Sequence, residues 1–157
     1  MQVFVPFAGP SWPIHAVRIA LQQDGIYAQF VPMVNDFSYF ELVSGLWEKQ
    51  EDFIIVEHDI IVWPGAIQKL TNCKHMWCTY PYYCSVGWIL EGLGCTKFSK
   101  KMMKKYPDYF KEPFPTCCKH DKNYCGLDRF IAHRGIELDI KPHVHNPGVT
   151  NLNEKWT

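Results

Sequence analysis

Apolar and polar positions alternate between two periods along the chain. Residues 2–6 are apolar after Gln2 and read as a short core strand. Residues 14–23 place Val17, Ala20 and Leu21 on one face of an amphipathic helix. Ser11 stands where a cap belongs, Pro13 falls in the first turn, and Gly25 ends the helix. Residues 27–31 return to a strand, Asn35 and Asp36 make a turn, and residues 40–48 line up Leu42, Val43, Leu46 and Trp47 as a second apolar helix face. Phe53-Ile-Ile-Val56 is the continuous apolar run of a buried strand. Pro64 opens a helix through Leu70, and residues 76–80 form a fourth strand. This alternation of strand and helix predicts an α/β domain with a mostly parallel sheet, helices around it and right-handed crossovers.

The second half is less regular. Residues 80–83 read as a turn or loop, residues 94–98 as a strand, and Ser99 as the cap of a basic helix over residues 100–106. Residues 111–124 carry Pro113, Pro115 and the pair Cys117-Cys118, which predicts a long loop of the kind that is often functional. Residues 126–133 form a helix that Gly135 stops, residues 137–145 a final alternating strand, and the tail from Asn146 is polar and turn-rich. At 157 residues the chain fits one domain with one core.

Composition narrows the picture. A hydrophobic content of 47% argues against disorder, and 16 basic residues cancel 16 acidic ones, which argues against a general nucleic-acid footprint. The opening Met1-Gln-Val-Phe-Val-Pro6 has no basic region and no long apolar run, and nothing approaches the roughly 18 apolar residues of a membrane span. The expectation is a soluble cytoplasmic protein. Seven cysteines are an odd number that favours reduced thiols. They group as Cys73, Cys78, Cys84 and as Cys117, Cys118, Cys125, with His75 and His120 nearby, but the spacings match no common zinc knuckle.

The chemistry concentrates where the third strand breaks into Glu57-His58-Asp59. The carboxyl end of a strand in an open α/β sheet is where ligands sit. Two carboxylates one residue apart point the same way if the chain stays extended, and their hard oxygens suit Mg²⁺ or Mn²⁺. The spacing resembles the acidic-x-acidic pattern of metal-dependent, nucleotide-sugar glycosyltransferases. The plain alternative is a helix cap or a solvated turn.

Around this motif the chain resembles glycosyltransferases of the GT-A fold, especially small phage-type and bacterial ones. The resemblance is carried by Phe53-Ile-Ile-Val-Glu-His-Asp-Ile-Ile-Val-Trp-Pro-Gly-Ala66, Trp77-Cys-Thr-Tyr-Pro-Tyr82, Leu93-Gly-Cys-Thr-Lys-Phe-Ser99, Leu127-Asp128 and His143-Val-His145, in that order. It departs at Glu57, where many members carry Asp. It implies a compact, Rossmann-like single domain, with residues 1–75 as the nucleotide-binding half and residues 76–150 as the acceptor and metal-completing half. It implies Asp59 as the principal ligand of Mn²⁺ or Mg²⁺, with Glu57 reaching the metal through water or touching the ribose and His58 beside the donor. His145 would complete the metal site, which would favour Mn²⁺ because Mg²⁺ prefers oxygen. Asp128 would be the general base of an inverting transfer, although an acid in the first turn of a helix also serves the helix dipole. Phe7, Ala8 and Gly9 would meet the nucleotide, and Asp36 would bond the base or else cap the next helix.

The expected reaction moves a sugar from a UDP- or GDP-sugar to a hydroxyl acceptor, with a glycan or modified DNA in view. Lys100, Lys101, Lys104 and Lys105 form a basic helix stripe suited to steering an anionic acceptor, Lys97 is a candidate phosphate or acceptor contact, and Tyr80, Tyr82, Tyr83 and Trp88 offer a stacking platform. Two rivals are kept. A sugar nucleotidyltransferase needs a Gly-rich, basic loop after the first strand, and Phe7-Ala-Gly-Pro-Ser-Trp12 is not one. A zinc-stabilised module binding nucleic acid or a partner, without catalysis, is the reading from a different class.

Overall fold

The computed structural model describes residues 1–9, 12–84, 87–111 and 126–152. Ser11, Cys117, Cys118, His120, Cys125 and most of the expected long loop lie outside these. The chain opens as β1 (Gln2–Phe7), α1 (Trp12–Gln23), β2 (Ala28–Pro32), α2 (Ser38–Lys49) and β3 (Phe53–Val56). It continues with β4 (Ile60–Val62), α3 (Ala66–Asn72), β5 (Trp77–Thr79), a hairpin of β6 (Tyr82–Cys84) and β7 (Gly87–Ile89), β8 (Cys95–Phe98) and α4 (Lys100–Lys105). It closes with α5 (Leu127–Glu137), β9 (His143–Val144) and β10 (Val149–Asn151).

Six strands form the central sheet in the order β2-β1-β3-β8-β5-β9. β1 is parallel to β2 and β3, and β5 is parallel to β9. β8 runs antiparallel to both of its neighbours, pairing Val56 with Cys95 and Thr79 with Thr96. The chain reaches β8 through the β6–β7 hairpin rather than a helical crossover, so it returns in the opposite direction.

The pleat sends alternate residues to two helical layers. Phe53 and Ile55 of β3, with Trp77 and Phe98, pack against Tyr39, Val43 and Trp47 of α2, Met102 and Met103 of α4, and Phe130 of α5. Ile54 and Val56, with Val3, Val5, Cys78 and Cys95, pack against Val17 and Leu21 of α1 and Ile67 and Leu70 of α3. Both faces of β3 are therefore buried, which is why its sequence is an unbroken apolar run.

Several local expectations are corrected. Residues 80–83 are not simply a turn, because β6 pairs antiparallel with β7. Gly135 does not stop α5, which continues to Glu137. A β-carbon there would lie 3.0 Å from the Ile140 oxygen and 3.2 Å from Trp77, so the glycine permits α5 to pack closely on β5 and on its own following turn. Residues 137–145 are not one strand; α5 runs into them, Asp139 turns at φ 53°, and only His143–Val144 pairs with β5. The tail contains β10, which pairs antiparallel with β4. Pro64 sits in the turn before α3, whose first helical residue follows Gly65 at φ 79°. The Asp24 carboxylate accepts the Gly65 N–H there. The Ser99 cap is present, its Oγ accepting the Met102 N–H.

Ile55 has no exposed surface and lies one residue before the end of the strand that carries the acidic motif. Ile55→Ala is expected to cost about 2–5 kcal/mol of stability, measured by urea denaturation, through lost burial and the cavity left behind.

Candidate active site

Because β1, β2 and β3 are parallel, their carboxyl ends share one edge of the sheet. Residues 7–9, 33–36 and 57–59 all emerge there. Met33 donates its N–H to the Phe7 oxygen at 2.8 Å, which holds the first two of these segments together. Gly9 takes φ 80°, a conformation that favours glycine. Asp36 is exposed and does not cap α2; Asn35 Oδ1 accepts the Phe37 N–H, and Ser38 Oγ accepts those of Val34 and Asn35.

Residues 57–59 do not stay extended. The Ile60 N–H donates to the Glu57 oxygen at 3.1 Å, closing a turn that leads into β4. Glu57 donates its own N–H to the Gly94 oxygen at 2.9 Å, an extension of the β3–β8 ladder past Val56. By the pleat its side chain lies on the α2 face, where Tyr39 donates its hydroxyl to Oε1 at 3.0 Å. His58 and Asp59 are half-buried in the turn. Leu152 donates its N–H to the Asp59 backbone oxygen at 2.7 Å, and Asn151 pairs with Ile60, so β10 braces this turn.

Asp128 in the first turn of α5 completes the group. It is not a helix cap; its Oδ1 accepts the Leu93 N–H at 2.7 Å and its Oδ2 accepts the Tyr82 hydroxyl at 3.4 Å. Gly92 and Gly94 make this possible, because a β-carbon at either would overlap the Tyr82 side chain at 2.6 and 2.4 Å. The three acids lie close enough for their charges to act on one another. Burial, then Asp128, then Asp59 push the Glu57 carboxyl well above the usual carboxylate range, against the Tyr39 hydrogen bond. Burial also raises Asp128, with Asp59 adding to it and the Leu93 N–H and Tyr82 hydroxyl pulling the other way. The Tyr82 phenol is raised by burial and then by Asp128, Glu57 and Asp59, so it stays protonated and donates.

Crowded acids of this kind call for protons or a cation, and an all-oxygen donor set suits Mg²⁺ or Mn²⁺. Among the described residues the three carboxylates do not converge into a ready cage of ligand atoms, so a bound ion would take further oxygens from a ligand or water.

His145 is elsewhere. It follows β9, whose His143 faces the same side as its partner Cys78, the side of α1 and α3. His145 converges with Cys73 and Cys78, their ligand atoms all within 4.8 Å of one another. The expected sharing of one ion by Asp59 and His145 is not what the structure displays: among the described residues His145 gathers with Cys73 and Cys78 and not with Asp59.

The other candidates divide similarly. Lys97 is buried on β8 and donates its Nζ to the Cys73 oxygen, away from the acidic edge. The lysines of α4 are exposed at the amino end of β3, where Lys100 donates its N–H to Asp52 Oδ1. Of the aromatic platform, Tyr80 and Tyr82 are buried. Tyr83 and Trp88 are exposed and line a cleft of about 330 Å³ with Trp63, Val149, Thr150 and Asn151. Tyr39, Leu93, Gly92, Gly94, Trp63 and Asn151 are site elements that pattern reading missed. Only the Gly92-x-Gly94 pair carried a local signal, of close approach.

The sheet order, with one reversed strand beside the strand bearing the acids, decides the architecture. The chain has a GT-A-like fold. Three of the solved structures that match it do so over nearly its whole length. A197 from STIV is 15% identical with a TM-score of 0.59, over 95% of this chain and 83% of that one. A glycosyltransferase involved in the glycosylation of the major capsid of PBCV-1 is 10% identical with a TM-score of 0.55, over 97% and 94%. A Bacillus anthracis protein assigned as a glucose-1-phosphate thymidylyltransferase, crystallised with sucrose, is 8% identical with a TM-score of 0.58, over 94% and 87%. No family model matches the sequence, and no curated protein does. Among the described residues, no helix of this GT-A-like domain is long and apolar enough to cross a membrane.

Because the folded protein raises the affinity of Glu57 for its proton, stability falls as pH rises from the ordinary glutamate range, about 4, through the raised value. In metal-free protein at pH 7, Glu57→Gln should therefore raise Tm by a few degrees, each kcal/mol being about 2–4 °C for a chain this size. The advantage should vanish near pH 4. A melting series across that range checks it, and an equal or lower Tm at pH 7 would count against the electrostatic account.

Proposed function

We propose that the protein is a divalent-metal-dependent glycosyltransferase that moves a sugar from a UDP- or GDP-sugar to a hydroxyl acceptor with inversion. The observation that carries this reading is the gathering of Glu57, Asp59 and Asp128 at the carboxyl edge of a GT-A-like sheet. Asp59 and Glu57 would hold Mg²⁺ or Mn²⁺, and with His145 on the other face the donor set is oxygen alone. The bound ion would supply Lewis-acid neutralisation of charge developing on the diphosphate. Residues 7–9 and Asp36, on the same edge, would receive the nucleotide.

Asp128 is the residue proposed to take the acceptor proton. The Leu93 N–H at 2.7 Å occupies and orients Oδ1, while the Tyr82 contact to Oδ2 is longer at 3.4 Å and leaves that oxygen within reach of a hydroxyl. Its raised proton affinity brings it closer to neutral pH, where a general base works best. The cleft of Trp63, Tyr83 and Trp88 adjoins this edge through β6 and β10, and its exposed rings suit stacking against a sugar.

The test is release of nucleoside diphosphate from a panel of UDP- and GDP-sugars with Mn²⁺ or Mg²⁺. Absence of release together with absence of any donor-induced melting shift, across the panel, would overturn the proposal. Pyrophosphate release from a nucleoside triphosphate and a sugar phosphate would instead favour nucleotidyl transfer. Asp128→Asn is expected to lower kcat by about 10²–10⁴-fold with donor KM nearly unchanged. Asp59→Asn should instead raise the metal concentration needed for half-maximal activity, read from a Mn²⁺ titration.

A further inference from the structure

The face of the sheet opposite the acids holds a second cluster that the transfer reading does not use. Across β8, β5 and β9, Lys97, Cys78 and His143 form one cross-strand row. Cys73, at the carboxyl end of α3, and His145, just past β9, close over that row, and one ligand atom from each of Cys73, Cys78 and His145 lies within 4.8 Å of the others. The His145 Nε2 is shielded from solvent and has no hydrogen-bond partner, while its backbone N–H is tied to the Thr79 oxygen at 2.9 Å. A buried imidazole nitrogen without a partner, on a ring that offers a ligand atom to two sulfurs, is a group placed without the partner it needs.

Two thiols and an imidazole are a soft donor set, the chemistry that selects zinc over the hard ions suited to carboxylates. Zinc holds sulfur at about 2.3 Å and nitrogen at about 2.0 Å, so tetrahedral ligand atoms stand roughly 3.5–3.8 Å apart. The observed spacing reaches this by a contraction of about 1 Å, within the reach of side-chain rotation. His143 is at hand as a fourth ligand, its ring centroid 4.8 Å from that of His145 and stacked on His75 at 4.2 Å. Lys97 lies beside the site. It is 3% exposed and its ammonium donates to the Cys73 oxygen. Zn²⁺ and two thiolates cancel, so an occupied site would add no net positive charge next to this buried ammonium.

We propose that Cys73, Cys78 and His145 bind one zinc ion that clamps the β5–β9 edge of the sheet to the end of α3. β9 has only two residues, so the clamp would secure the segment that leads into β10 and thereby the brace on the Asp59 turn. This inference is independent of glycosyl transfer, since no residue of the acidic edge takes part.

The experiment uses the full chain, reduced and metal-free, titrated with Zn²⁺ and with Co²⁺ as a spectroscopic substitute. One equivalent should bind with thiolate-to-cobalt charge-transfer absorption and the intense visible bands of a tetrahedral site, and Zn²⁺ should displace it. Cys73→Ser with Cys78→Ser should lose that equivalent. Asp59→Asn and a triple Cys117→Ser, Cys118→Ser, Cys125→Ser variant should keep it. In wild type, zinc should protect Cys73 and Cys78 from alkylation, read by mass spectrometry, which decides the matter even if the double variant fails to fold. Absence of a thiolate band, its loss only in the triple variant, or a Cys73–Cys78 disulfide formed in the presence of zinc would overturn the proposal.

Discussion

β8 pairs antiparallel with both β3 and β5, and the direction of this strand decides what meets at each edge of the sheet. Its entry, residues 92–94, lies over the carboxyl ends of its neighbours. There the Gly94 oxygen takes the Glu57 N–H and the Leu93 N–H takes Asp128. Its exit delivers Ser99 and the lysines of α4 to the opposite edge, beside Asp52. A parallel strand in this place would have exchanged the two, bringing lysines to the acids and removing the backbone donor that orients Asp128.

The acidic edge is built against its own stability. Glu57 and Asp128 are half-buried by the same packing that gathers them, and Asp128 and Asp59 raise the cost of ionising Glu57 while Asp59 raises that of Asp128. Tyr39, Tyr82 and the Leu93 N–H offset only part of it. Such strain is characteristic of a site whose charge is completed by a ligand, and it lies at the edge where open α/β sheets bind ligands.

The pleat separates two kinds of chemistry. Glu57 lies on the α2 and α5 face and His145 on the α1 and α3 face. Hard carboxylate oxygens are collected on one side, and sulfur and imidazole on the other. The sequence shows acids and histidines that suit a single divided site, and only the assembled sheet places His145 with Cys73 and Cys78 rather than with the acids.

Periodicity determined the first half well. β1, α1, β2, α2 and β3 stand within a residue or two of their expected places, because the helices are long enough for their period to be counted, β1 and β3 are continuous apolar runs, and local signals such as Gly25 and Asn35 punctuate them. Ser99 declared its own cap for the same reason: a hydroxyl three residues before an amide is a local fact. The acidic motif and Asp128 were also legible, as residue types after a strand and at a helix start. What the sequence did not determine is how distant segments pair. Ile60–Val62 and Val149–Asn151 are too short to show a period and become strands only through each other. Gly135 marks a close approach of α5 to β5 rather than the helix end, because Trp77 and the turn residue Ile140 lie against it. The direction of β8 and the face occupied by His145 are properties of the assembled sheet, where a single reversal or a one-residue change of register moves a side chain across the core.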